Sequence, residues 1–122
     1  MKRDWDLIRD ILTEVEQLDN DKRFQFSYEV KQNSTLEAKR RRDHAALLWK
    51  AGFIEGEDTG TMLFGPSLQA PELTWNGHDL LDTIRSKPIW EKIKAKATET
   101  GIELTFDTVK KLGAWALGQL LT

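Results

Sequence analysis

The stretch from Ser34 to Trp75 constrains the fold more than any other, because a helix there runs directly into short apolar segments punctuated by glycine. Ser34-Thr35-Leu36-Glu37 has the form of a capping box. In that motif a serine oxygen accepts from the amide three residues on, and the glutamate reaches back to the serine amide. The helix is predicted from Thr35 to Ala51 and ends at Gly52, whose missing Cβ suits a left-handed closing residue. Phe53-Ile54-Glu55, Met62-Leu63-Phe64 and Leu73-Thr74-Trp75 follow as three short strands, with Gly56, Asp58, Gly60 and Gly65-Pro66 as turns. A helix followed at once by a small glycine-turned hairpin is the arrangement of a wing.

The flanking segments complete that picture. Trp5, Leu7, Ile8, Ile11, Leu12, Val15 and Leu18 recur at three-and-four spacing, which predicts a helix from Asp4 to about Leu18. Phe24, Phe26 and Tyr28 alternate with polar residues as a half-buried strand. Asn76 is placed to cap a helix to Arg85, Pro88 sits near the start of another that ends at Gly101, and Thr105 can cap a last, strongly apolar helix from Phe106 to Leu121. At 122 residues the chain is long enough for one hydrophobic core. The expected fold is therefore α+β and mostly helical, a single domain over residues 1–122. A winged helix-turn-helix-like core with a small antiparallel sheet occupies residues 1–85, and a C-terminal helical extension occupies 86–122.

Composition narrows the chemistry. There is no cysteine, hence no disulfide framework and no thiolate nucleophile or zinc site, which fits a reducing compartment. The amino terminus is charged and no apolar run approaches the roughly 18 residues of a membrane span. A cytoplasmic protein without signal peptide or membrane partner is expected. No phosphate-cradling glycine loop, helical histidine–glutamate metal motif or serine elbow is present. His44 and His78 are the only histidines, and nothing in their spacing forces them together. The sequence thus predicts a non-enzymatic protein with no catalytic residues, no cofactor and no metal.

Charge is unevenly placed although the net is only -2. Residues 35–52 carry five bases and two acids, whereas 53–74 carry four acids and no base. Lys39-Arg40-Arg41-Arg42 is the sharpest polar feature, because clustered cations on a helix neutralise phosphates and release counterions. On a helical wheel Lys39, Arg42, Asp43, Ala46 and Lys50 form the polar face, and Leu36, Arg40, His44, Leu47, Leu48 and Ala51 the other. Lys39, Arg41, Arg42 and Lys50 are accordingly the candidate nucleic-acid-binding residues, with double-stranded DNA as the partner. The bland alternative is a solvated face whose cations pair with Glu37 and Asp43. The acidic wing would repel a phosphate backbone. It marks Glu55, Glu57 and Asp58, with Trp49 as an aromatic anchor, as candidate protein-interaction residues.

Four ordered blocks, Met1 to Arg9, His44 to Glu55, Leu73 to Arg85 and Ile89 to Lys94, resemble the domain-of-unknown-function family 2513 over nearly the whole chain. The resemblance implies a winged-helix-like fold and a bacterial, phage or prophage setting, and it carries no reaction and no functional residue. The chain departs from the family at Lys39–Arg42, where the family is less basic. Two functions are expected from these readings: a binding module of phage or mobile-element origin that engages DNA through helix 35–51, or a module that regulates or inhibits a host or phage protein through its acidic wing and apolar C-terminal surface. The last helix could also pair across a two-fold axis as a homodimer.

Overall fold

A computed structural model describes residues 2–121. In chain order the elements are α1 (Trp5–Gln17), α2 (Asn20–Arg23), β1 (Ser27–Tyr28), α3 (Leu36–Lys50), β2 (Ile54–Asp58), β3 (Leu68–Leu73), α4 (Trp75–Ile84), α5 (Lys87–Thr100) and α6 (Phe106–Leu121). The fold is mixed helix and sheet, mostly helical, with a three-stranded antiparallel sheet in the order β1-β3-β2. Helix, strand, helix and hairpin follow one another in a winged-helix-like arrangement. Residues 29–35 between β1 and α3 form no helix, so α3 is reached through a loop and not through the first helix of a helix-turn-helix pair.

The chain divides into two compact units, Met1–His78 and Asp79–Thr122. In the first, α1 starts where the Asp4 side chain accepts the Leu7 amide and buries Leu7, Ile8, Ile11, Leu12 and Val15 on one stripe. Tyr28, Ala45, Leu48, Ile54, Leu68 and Leu73 supply the rest of that core. Opposite Gly56, β3 carries two residues, Ala70 and Pro71, and the register shifts there. Ala70 takes a left-handed φ of 53°, as the first residue of such a bulge can, and Pro71 has no amide to lose from the ladder. In the second unit α5, capped by Ser86 and closed by Gly101 at φ 70°, packs on α6. Ile89, Trp90, Ile93, Val109 and Ala116 are buried between them.

Several sequence expectations are corrected. The N-cap of α3 is Thr35, whose hydroxyl accepts the Ala38 amide; Ser34 instead closes the preceding turn by accepting the Lys31 amide. Met62-Leu63-Phe64 is no strand but the exposed tip of the hairpin, because the turn bonds at Thr61 and Gly65 close around it. Leu73 ends β3, and Trp75 already belongs to α4, whose cap is Thr74 and not Asn76. The strand expected at Phe24 to Tyr28 shrinks to Ser27–Tyr28, since Asp19 caps the short α2 just before it.

Candidate binding surface

The orientation of α3 decides which of its cations can meet a partner. Its buried residues are His44, Ala45, Ala46 and Leu48. Leu36, Lys39, Arg40 and Lys50 are exposed, and Asp43 and Leu47 are half-buried. The helix is thus rolled relative to the wheel drawn from sequence, with Leu36 and Arg40 outward and Ala46 inward. Tertiary partners cause the roll. His44, 1% exposed, donates from Nδ1 to the Arg40 carbonyl at 2.9 Å and accepts the Asp4 backbone amide on Nε2 at 2.9 Å. Both ring nitrogens are spent on protein groups, which leaves His44 no atom for a metal or a substrate.

Three arginines of the basic run are likewise engaged. Arg40 pairs with Asp4 at 2.7 Å. Burial would raise the Asp4 carboxyl, but the Leu7 amide, the Arg40 guanidinium and His44 together hold it below its ordinary range. Arg41 reaches Glu14 Oε1 at 2.9 Å, and the same oxygen accepts the Tyr28 hydroxyl at 2.6 Å. Burial first, then the Glu14 carboxylate, push the Tyr28 hydroxyl far above its ordinary range. One carboxylate thereby ties α1, β1 and α3. Arg42 bonds Asp43 Oδ1 at 2.8 Å and donates to the Phe64 and Pro66 carbonyls, joining α3 to the wing.

Of the residues expected to bind nucleic acid, Arg41 and Arg42 therefore sit in internal contacts, while Lys39 and Lys50 lie open on one side of α3. Lys50 is close enough to Asp58 to help lower its carboxyl, although the Gly60 and Ser67 amides do most of that. Glu55, Glu57 and Asp58 are exposed along β2, and Trp49 is half-buried. Glu55 stands directly across from Glu72. The wing tip, which was read as strand, carries the most exposed large apolar side chains of this unit, Met62 at 105% and Leu63 at 83%. The signal for it lay in Asp58 and Gly60, just before the turn Thr61–Gly65, and in Gly65, which ends it. Among the described residues no group of three or more His, Asp or Glu is placed to hold a metal ion, and no helix is long and apolar enough to cross a membrane.

Residues 2–103 match the profile of the family described as "Hypothetical protein (DUF2513)". A protein of Haemophilus influenzae described as "Uncharacterized protein" is 34% identical over 121 residues, which cover 99% of either chain. No solved structure matches.

Proposed function

The chain belongs to the DUF2513 family, and from that premise we propose that it is a non-catalytic module that binds a protein through the outer face of α3 and the adjoining wing. The observation that carries this reading is how the basic run is used. Arg40, Arg41 and Arg42 hold Asp4, Glu14 and the wing carbonyls, so they fasten the fold together. What remains outward is mixed, with Leu36, Met62 and Leu63 beside Lys39, Lys50, Glu55 and Glu57. Methionine and exposed apolar side chains amid both signs of charge suit a protein surface better than a phosphate backbone. A phage or prophage setting fits a module acting on a host protein. Pairing of two copies through the exposed Leu117, Leu120 and Leu121 of α6 is a separate proposal that light scattering at two concentrations tests.

A photoreactive amino acid at position 63 of the full chain, illuminated in an extract of the cell that carries the gene, tests the protein reading. Adducts with one defined protein support it. Adducts with nucleic acid, or no adduct, overturn it. The DNA reading is favoured by one observation: Lys39 and Lys50 are exposed, eleven positions apart and about three turns along one side of α3.

A further inference from the structure

We propose that the hollow between residues 29–31 and the root of the wing takes one uncharged residue of an extended segment of the partner protein, joined to Val30 as a β rung. The proposal rests on the protein-binding reading above and adds a contact on the β1 side of the wing.

The hollow exists because the ladder between β1 and β3 stops short. Ser27 faces Gln69, Tyr28 faces Leu68, and the Ala70 amide donates to the Phe26 carbonyl at 3.0 Å. Bonded and unbonded rungs alternate in an antiparallel pair. The bonded rungs therefore join Phe26 with Ala70 and Tyr28 with Leu68, and the next would join Val30 with Pro66. Pro66 has no amide to give, and its carbonyl accepts from Arg42 at 3.2 Å. That rung is not made, and β1 ends at Tyr28. On the other side of β3 the pairing continues, for the Thr59 amide donates to the Ser67 carbonyl at 2.9 Å and the Ser67 amide to Asp58 Oδ1 at 3.1 Å. Residues 29–31 thus part from the root of the wing around a hollow of about 230 Å³.

Unspent polar groups line it. Among the described residues nothing bonds the Val30 amide or carbonyl, which a continuation of β1 would turn toward β3. Ser67 is only 9% exposed, and while its amide and carbonyl are bonded, its hydroxyl has no partner among the described residues. A hydroxyl so nearly enclosed gains free energy when a ligand group bonds it.

The occupant follows from those groups. The free N–H and C=O of one residue are matched by the C=O and N–H of another extended residue, which is how a peptide adds to a sheet edge. Charge is excluded at that residue, because Lys31 at the mouth is already paired with Glu29 at 3.3 Å, and Val30, Phe64 and Pro66 supply apolar wall. The hollow suits a single residue, since pockets that enclose drug-sized ligands begin at about 300 Å³.

The test uses the full chain and a capped, uncharged pentapeptide of alternating threonine and valine, with the same peptide N-methylated at every amide as control. Hydrogen exchange followed by NMR should find the Val30 amide unprotected in the free chain and slowed at least about tenfold at saturating peptide. The N-methylated peptide, which has no donor for the Val30 carbonyl, should not bind. S67A, whose urea midpoint should match the parent because the hydroxyl bonds nothing in the chain, should weaken binding by about three- to tenfold. P66A restores the amide that the missing rung needs, so it should protect Val30 without peptide and abolish binding. A Val30 amide protected in the parent, no peptide binding, equal binding of the N-methylated peptide, or indifference to S67A or P66A would each overturn the proposal. A defined protein adduct at position 63 together with any of those results leaves the protein-binding reading intact and removes only the rung at Val30. Failure to form a protein adduct removes both.

Discussion

The backbone amide of Asp4 donates to Nε2 of His44 across 2.9 Å, so the first turn of α1 is held by a ring buried in α3. The Nδ1 proton goes to the Arg40 carbonyl, which leaves Nε2 as the acceptor that the amide requires. Replacing His44 with alanine removes a buried ring and leaves the Asp4 amide without its acceptor. We expect H44A to lose at least about 2 kcal/mol of unfolding free energy in urea titration. A loss below about 0.5 kcal/mol would show that water replaces the ring without cost.

Acid should weaken the fold through Asp4 and Asp58. Both carboxyls titrate below the ordinary value of 3.8 in the folded chain, so the unfolded chain takes up protons first as pH falls. Their stabilisation is fully present above about pH 4 and disappears as pH drops through the folded values. The urea midpoint should therefore fall between pH 5 and pH 3, and D4N should show a smaller drop over the same range. An equal drop in D4N would assign the acid sensitivity elsewhere.

Alkali reports on the carboxylate that ties three elements. Tyr28 is the only tyrosine, so absorbance at 295 nm follows this one hydroxyl. With its folded value raised by burial and Glu14, the hydroxyl contributes stability below about pH 10 that is lost as pH rises further. The 295 nm signal should stay flat through the ordinary tyrosine range and rise only with unfolding seen by circular dichroism. Y28F should lose about 1 kcal/mol at neutral pH by giving up the bond to Glu14. A normal tyrosine titration in the folded chain would contradict the Glu14 contact.

The parts of the fold legible in sequence are those set by local periodicity and caps. α1 is one: its stripe of Leu7, Ile8, Ile11, Leu12 and Val15 is made of near neighbours in the chain, and only the role of Asp4, a cap and not a helical residue, was missed. α5, between Pro88 and Gly101, is another. The roll of α3 was not legible: the wheel put His44 and Leu48 on the inward side, where they are, but it also put Leu36, Arg40 and Ala51 there and Ala46 opposite, and the Asp4 contacts of His44 and Arg40 that accompany the roll come from the far end of the unit's sequence. The basic run misleads for the same reason: Arg41 finds Glu14 27 positions back, and Arg42 finds the Phe64 carbonyl 22 positions ahead. Apolar Met62-Leu63-Phe64 matches a strand by residue type, yet the bonds that make it a tip are backbone bonds of Thr61 and Gly65, which side-chain pattern does not encode.

Gly77 offers a case where local propensity and tertiary contact oppose each other. Alanine inside a helix ordinarily gains about 1 kcal/mol over glycine. In the first turn of α4, however, a Cβ at Gly77 would stand 2.0 Å from the Phe53 oxygen, a backbone atom that cannot swing aside. G77A should therefore destabilise the chain, by about 1–3 kcal/mol in urea titration. A variant as stable as the parent would mean that α4 shifts away from residue 53 at little cost.

The exposed lysines of α3 set the limit on DNA binding. With Arg40, Arg41 and Arg42 held by Asp4, Glu14, Asp43 and the wing carbonyls, Lys39 and Lys50 are the exposed lysines of α3. Two phosphates neutralised on duplex DNA give a slope of log K against log salt of about -1.8. The acidic β2 edge, with Glu55, Glu57 and Asp58, opposes closer approach. We expect retention on random duplex DNA only at low salt, with a slope no steeper than about -2. K39E/K50E should abolish it, whereas R41Q and R42Q should act mainly by lowering stability. A slope near -4 or steeper, lost in R41Q or R42Q variants that remain folded, would mean that DNA draws the arginines out of their internal pairs, and the protein-binding reading would then give way to the DNA one.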